Sequence, residues 1–309
     1  MSSTPSDPKS GAVPPGNAPS DAVGARLLLV VLCLGWGFSW ITMRLALDEI
    51  PPFTMRASGH FIGATVLIAL ARLQGRSFEV ANRAEWVHIC VGALFNVVAF
   101  SVFTAFAQLI TETSRVAILI YTMPVWATLL ALPILGERLT PVRVLALVLL
   151  VAGMSILIAP LAAVGFPAGT LLAIGAAMSW AAGTVYVKWA QPQGDVMVMT
   201  AWQLVIGCCV MACGIPLFDG GLDLNVSAVA LLSLLFSGVA GSGLGLFLWL
   251  EVVRRLPATT ASLGVLSSPV ISVVAAMLVL GERPTLHDAI GFALMLSASA
   301  VVVLRPESR

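Results

Sequence analysis

Side chains able to serve as nucleophile, base or metal ligand are few in this chain, and they are scattered. Its three histidines, His60, His88 and His287, fall in three separate apolar runs, and neither H-E-x-x-H nor G-x-S-x-G occurs. The five cysteines (Cys33, Cys90, Cys208, Cys209 and Cys213) sit inside apolar stretches at no metal-ligand spacing and read as small core residues. With no nucleophile–base pair, cofactor motif or metal set, the sequence does not read as an enzyme's, and neither cofactor nor metal is expected. The remaining chemistry belongs to polar and aromatic groups deep in apolar runs, which are costly in lipid and tend to face a bundle interior. Trp36, Ser39 and Trp40 share a helical face through i+3 and i+4 spacing. Asn96 carries an amide able to read a carboxylate or an ammonium. Tyr121 stands one turn before Pro124, whose missing N–H frees carbonyls for a ligand. Trp180 presents a large apolar face and one donor, and Thr184 follows it by one turn. These seven form the expected substrate-binding set. His60 and Gln203 are expected to couple or to bridge helices.

The elements that must position these groups are transmembrane helices. Hydrophobic residues make up 59% of the 309 and charged residues 10%, with a mean hydropathy of +1.00. No aqueous core could hide so much apolar surface, so lipid is the solvent. A net charge of +1 argues against nucleic acid as a partner. A span needs about 20 apolar residues, which places helices near 26–46, 53–73, 86–108, 114–135, 141–160, 168–189, 196–217, 227–252, 257–280 and 286–304. Residues 1–24, rich in Ser, Pro, Ala and Gly, read as a disordered cytoplasmic tail. With the N-terminus inside, twelve Lys and Arg residues fall at cytoplasmic ends. Only Arg44, Arg56, Arg115 and Arg283 fall outside.

Those spans repeat. Pro124-Val125 precedes Gly136-Glu137-Arg138 by twelve residues and Thr140 follows; Pro269-Val270, Gly281-Glu282-Arg283 and Thr285 recur at an offset of 145. Trp36 and Trp180 are related by 144, and His60 and Gln203 by 143. Gly136 suits the left-handed residue that ends a helix, and Thr140 before Pro141 suits an N-cap, so these turns read as connectors. Gly241 and Gly245 give a G-x-x-x-G spacing for close helix packing. Residues 25–160 and 161–309 are thus read as two five-helix repeats. Five is odd, so the second enters the membrane inverted, and the fold class expected is an all-α membrane protein of ten transmembrane helices. Inverted repeats place a substrate site at the midplane between the halves.

An ordered set of short motifs resembles the EamA family of the drug/metabolite transporter superfamily. It runs from Trp36-Gly37 and Pro51-Pro52 through Thr113-Ser114-Arg115 and Pro124 to Gly136-Glu137-Arg138. It continues with Trp180, Ala201-Trp202-Gln203, Arg254-Arg255-Leu256-Pro257, Pro269 and Gly281-Glu282-Arg283. The resemblance implies a ten-helix carrier of the inner (plasma) membrane, often an exporter of amino acids or related metabolites. Many relatives have Arg-Phe where this chain has His60-Phe61, so no anion-binding role is carried over to that position. The expectation is a secondary transporter of small molecules, monomeric or weakly dimeric, lying in the bilayer. A carrier for nucleosides, sugars or drugs, a channel, and a scaffold remain open at this point.

The topology carries its own test. A cysteine introduced near Arg76 or at the C-terminus is expected to resist impermeant thiol reagents in intact cells, and one near Asp223 to react. The reverse labelling pattern defeats the orientation.

Overall fold

In a computed structural model, residues 19–110, 113–162, 168–220, 226–280 and 285–304 are described. Among them the ordered elements are helices, and eight are long and apolar enough to cross a membrane. Hydrocarbon offers the backbone no hydrogen-bond partner, so an apolar run in lipid must pair its own N–H and C=O groups as a helix. We number the helices α1 (Pro19–Leu47), α2 (Pro52–Leu73), α3 (Arg83–Ile110), α4 (Thr113–Ile120), α5 (Met123–Leu135) and α6 (Pro141–Ala162). There follow α7 (Ala168–Ala190), α8 (Val196–Asp219), α9 (Ala228–Arg255), α10 (Ala258–Gly264), α11 (Ser267–Leu280) and α12 (Leu286–Leu304). α1 starts at Pro19, so Pro19–Gly24 extend the first helix and are not part of a disordered tail. Residues 1–18 and the Gly281-Glu282-Arg283 turn lie outside the described residues.

Among the described residues four departures from α-helix recur at one spacing, and a fifth, the π-helical Ile215–Asp219 that ends α8, stands apart. α3 widens into a π-helical stretch over Ala93–Ala99, and α9 does so over Ser237–Gly243, 144 residues later. The α4–α5 pair breaks at Tyr121 and Thr122, and the α10–α11 pair at Val265 and Leu266, again 144 apart. Each break precedes a proline, Pro124 or Pro269, whose ring excludes the regular turn before it. The freed groups close tight turns, as in Tyr121 N–H to Ile118 O (3.1 Å) and Leu266 N–H to Leu263 O (3.2 Å). Gly75 (φ +67°) and Gly220 (φ +75°), 145 apart, end α2 and α8 in the left-handed region. Gly136 (φ +64°) ends α5 in the same way, and Thr140 Oγ1 accepts from Arg143 N–H at 3.3 Å to start α6.

Packing follows the same exchange. α2 lies along α8, and α6 along α12. α5 packs on α7 as α11 packs on α1, while α3 packs on α7 as α9 packs on α1. Close approach depends on glycine at a few points. A Cβ on Gly63 of α2 would stand 2.7 Å from the Gly243 backbone nitrogen and 3.1 Å from Gly238 O, both in the π-helical stretch of α9. The small-residue stretch of α9 is therefore a packing surface. The cysteines divide: Cys33 is buried, Cys208 is half-buried, and Cys90, Cys209 and Cys213 are exposed. The last three are not core residues as expected, because their helix faces meet no neighbour and a lipid-facing thiol needs no partner.

Carboxylates join the helix ends. Asp219 accepts from the N–H groups of Phe53 (3.4 Å) and Thr54 (2.6 Å) and from the Thr54 hydroxyl (2.8 Å) at the start of α2. Glu49 accepts from Ser227 N–H and Oγ, each at 2.6 Å, ahead of α9. These two donors, the hydroxyl foremost, hold its carboxyl below the usual value. Glu85 accepts from Gln193 and Gly194 N–H at 3.1 and 3.2 Å. Glu137 accepts from Ala258 N–H at 2.7 Å, at the start of α10, and pairs with Arg143 at 3.4 Å. The backbone donors at the starts of α2 and α10 are ones that a helix otherwise leaves open.

Gly63→Ala is expected to force α2 and α9 apart and to cost about 1–3 kcal/mol, read as a lower melting temperature of the purified protein. Gly24→Ala, with nothing near its new methyl group, is the control and should not lower it. Equal melting temperatures would mean that this backbone approach does not hold the helices together.

Candidate functional site

Three of the non-α segments meet at one place. A cavity of about 130 Å³ lies between α1, α2, α3, the α4–α5 break, α7, α8 and α9. The π-helical stretch of α3 supplies Asn96 and Val97 to its wall, that of α9 supplies Ser237, Gly241 and Ser242, and the α4–α5 break supplies Tyr121. A wide turn weakens its own hydrogen bonding, and side chains from opposite ends of the sequence relieve this. Trp36 Nε1 of α1 donates to Gly241 O at 3.1 Å, and Ser179 Oγ of α7 donates to Phe95 O at 2.7 Å.

Of the seven expected substrate-binding residues, Trp36, Ser39, Trp40, Asn96, Tyr121 and Trp180 all line this cavity. Trp36 and Trp180 meet edge to face with centroids 5.5 Å apart, and Phe100 stands 4.9 Å from Trp180. Ser39 Oγ donates to Gly35 O at 2.6 Å within its own helix. Tyr121 stacks obliquely on Trp40 at 6.1 Å, and its hydroxyl reaches Ser268 Oγ at 3.4 Å. Asn96 is 2% exposed, and neither its amide nitrogen nor its oxygen has a partner.

Thr184 is the exception. It is fully buried, its hydroxyl donates to Trp180 O at 2.9 Å, and it does not line the cavity. A Thr hydroxyl in an apolar helix most simply bonds the carbonyl one turn back, and here it does. His60 and Gln203 also part company. His60 lines the cavity with Nε2 2.8 Å from Ser101 Oγ, a bridge from α2 to α3, while its Nδ1 has no partner. Gln203 lines a separate, smaller cleft with His88, Tyr186 and Arg254 and packs against Gly92. A numerical offset of 143 does not make them occupy equivalent environments.

Two residues of the site were not singled out from sequence. Trp249, fully buried, completes an aromatic cluster at 5.7 Å from Trp36 and 5.9 Å from Trp180. Arg56, read from sequence only as an outer-face basic residue, lines the cavity one turn before His60 on the same face of α2. Its Nη2 meets Gln108 Oε1 at 3.4 Å, and its Nε is buried without a partner. The i, i+4 relation to His60 was the available signal. Among the described residues no Asp or Glu lines the cavity, and no group of three or more His, Cys, Asp or Glu gathers anywhere. What the geometry can do is enclose a small solute, offer it aromatic faces, and meet its polar atoms with unpaired donors and acceptors.

Comparison with known proteins agrees with this architecture. Residues 24–159 and 167–304 each match the EamA-like transporter family. The chain is 25% identical over 275 residues to YoaV, an uncharacterized transporter of Bacillus subtilis (strain 168), covering 87% of this chain and 93% of YoaV. It is 28% identical over 281 residues to YvbV, another uncharacterized transporter of that organism, covering 89% and 90%. A protein of known crystal structure, 24% identical, superposes with a TM-score of 0.76 over 91% of this chain and 97% of its own, which shows the shared fold. Matched by the family along nearly its whole length, the chain belongs to the EamA-like transporter family and is a multi-pass membrane protein.

Proposed function

We propose that this protein is a secondary transporter, not an enzyme, that exports amino acids or related small metabolites across the inner (plasma) membrane. The observation that carries the proposal is a single cavity built from corresponding parts of both sequence halves: Trp36 and Trp180, and the two π-helical stretches 144 residues apart. A pocket shared in this way is what alternating access between two repeats requires, since rocking one half against the other opens it to either side.

In this reading the eight long helices, with α10–α11 and α12, make ten crossings. Five crossings per half invert the second half relative to the first, and the excess of basic residues puts both termini in the cytoplasm. Residues 25–160 and 161–309 are the two repeats, and the working unit is a monomer or weak homodimer. Met43 and Met55, near the α1–α2 connection, then mark the outer end of the cavity. The tryptophan cluster, with Leu250 and Val253 packed beyond it, closes the inner end. No acidic group lines the cavity among the described residues, so the transport cycle runs down the solute's own gradient without obligatory proton exchange.

Trp36→Ala, Asn96→Ala and Trp180→Ala are each expected to weaken solute binding by about 5- to 150-fold, the equivalent of about 1–3 kcal/mol. The check is counterflow in proteoliposomes with a panel of labelled amino acids, nucleosides and sugars, alongside measured membrane levels. Normal transport by all three variants places the route elsewhere, and conductance in place of saturable exchange defeats the carrier. Loss of all three from the membrane makes them packing residues.

Coupling is tested at His60. Wild-type exchange should need no imposed pH gradient, and His60→Gln should retain most of it, because glutamine keeps the bridge to Ser101. Accumulation driven by a pH gradient in the wild type and abolished by His60→Gln would make the imidazole a proton carrier.

A further inference from the structure

The charge around the cavity is one-sided. Arg56 stands on its lining, and no carboxylate does so among the described residues. Among the described residues the guanidinium has only the neutral Gln108 Oε1 within reach, at the long distance of 3.4 Å, and its Nε atom is buried and unpaired. A half-buried cation with no carboxylate beside it is unfavourable, and it is retained where an anion completes it. Beside it on the lining, His60 Nδ1 and both amide atoms of Asn96 are also buried without partners. Neither residue has reached its hydrogen-bonding capacity within the protein. Much of the rest of the wall is apolar, with Trp36, Trp180, Phe100, Val97 and Leu246, and the neutral hydroxyl residues Ser39, Ser101, Tyr121, Ser237 and Ser242 complete it.

We infer that the solute feature this cavity reads is a carboxylate, held on Arg56, with an apolar or aromatic body against the Trp36–Trp180 wall. This rests on the cavity's being the transport site. Arginine presents a planar fork that matches a carboxylate with two parallel N–H···O bonds, which a neutral amide cannot accept equally well. An ammonium group in the same cavity meets only neutral acceptors, such as Asn96 Oδ1, and lies in the field of the Arg56 cation. The carboxylate is therefore the group that cannot be spared, and the amino group of an amino acid is dispensable.

Four matched probes separate the contributions: 3-phenylpropionate, 3-phenylpropionamide, phenylalanine and 2-phenylethylamine. Binding is read on the reconstituted full-length protein by quenching of tryptophan fluorescence, since Trp36, Trp40 and Trp180 line the cavity. Transport is read by counterflow of the same compounds. The acid is expected to bind at least about tenfold more tightly than its amide, the scale of one charge-assisted hydrogen bond, and comparably to phenylalanine; the amine should bind most weakly. Arg56→Gln should abolish the preference for acid over amide, and Arg56→Lys, which keeps the charge but not the fork, should keep part of it. If Arg56→Gln does not reach the membrane, the acid-to-amide ratios of the wild type and of Arg56→Lys decide.

Equal binding of acid and amide, a preference that survives Arg56→Gln, or no response to any of the four probes overturns the carboxylate inference. Those results leave the transport reading standing whenever exchange of some other solute is lost in Trp180→Ala. The transport reading fails instead if exchange of every solute is untouched by Trp36→Ala, Asn96→Ala and Trp180→Ala.

Discussion

The constraint on which the structure depends is that hydrocarbon cannot hydrogen-bond a peptide group. Every stretch of backbone that leaves the α-helical ladder must find a partner inside the protein or line a wet cavity. Among the described residues this chain leaves the ladder at the π-helical turns in α3 and α9, at the π-helical end of α8 (Ile215–Asp219), and at the proline-linked breaks between α4 and α5 and between α10 and α11. The π-helical turns of α3 and α9 and the α4–α5 break border the cavity. The side chains that relieve the π-helical turns, Trp36 and Ser179, come from the helix facing each of them. Three of the five irregular places thus build the site: where the ladder opens, polar groups become available at a depth where apolar side chains would otherwise be the rule.

The same demand operates at the helix ends, with a consequence for motion. Glu49, Glu85 and Glu137, all before residue 160, bond backbone N–H groups beyond residue 190, and Asp219 bonds the start of α2 in return. None of these carboxylates serves only its own half. Such bonds are strong because the acceptor is charged, yet they lie at the ends of helices where water can replace them once the halves part. An assembly held at its centre by apolar packing and at its rims by replaceable caps can separate at one rim while staying closed at the other. That behaviour suits two halves that rock about a shared cavity.

Much of the frame could be read from residue order. Apolar runs with few charges fix helices in lipid, and Pro124 and Pro269 mark breaks whatever surrounds them, because the missing N–H is a local property. Trp36 and Trp180 could be paired because a large aromatic at a constant offset is conspicuous. The π-helical turns could not be read, since Ala93–Ala99 is an unremarkable apolar segment and the register of a wide turn is set by neighbours. The glycines of α9 gave a packing signal that proved compatible with a π-helical turn without announcing it. Arg56 was hidden by its position near a span end, where a basic residue ordinarily reaches for headgroups; only the helices around it turn it toward the cavity. Thr184 lies off the lining, where its hydroxyl bonds the Trp180 carbonyl one turn back in its own helix. At Pro19–Gly24 composition favoured disorder, but the adjoining helix carries six more residues with it, as an already nucleated helix propagates at low cost.

The distribution of satisfied and unsatisfied polar groups separates support from recognition. Several buried threonine hydroxyls away from the lining close back on their own helices: Thr104 on Phe100 O, Thr128 on Pro124 O, Thr184 on Trp180 O and Thr200 on Val196 O. They cost little and specify little, since any site along an apolar helix could accommodate them. Arg56, His60, Asn96 and Trp180 each leave at least one polar atom without a partner and all four line the same cavity, while Gln108, Trp202, Gln203 and Trp249 leave one each away from it. An unmade buried hydrogen bond costs about 1–3 kcal/mol, so four such residues around about 130 Å³ represent a substantial concentration of unfavourable free energy. On the proposed reading of this cavity as the transport site, small side-chain movements that bring these groups to the lining would let a matching solute offset part of that cost. Selectivity would then arise less from the aromatic wall, which accepts many apolar bodies, than from the polar groups beside it.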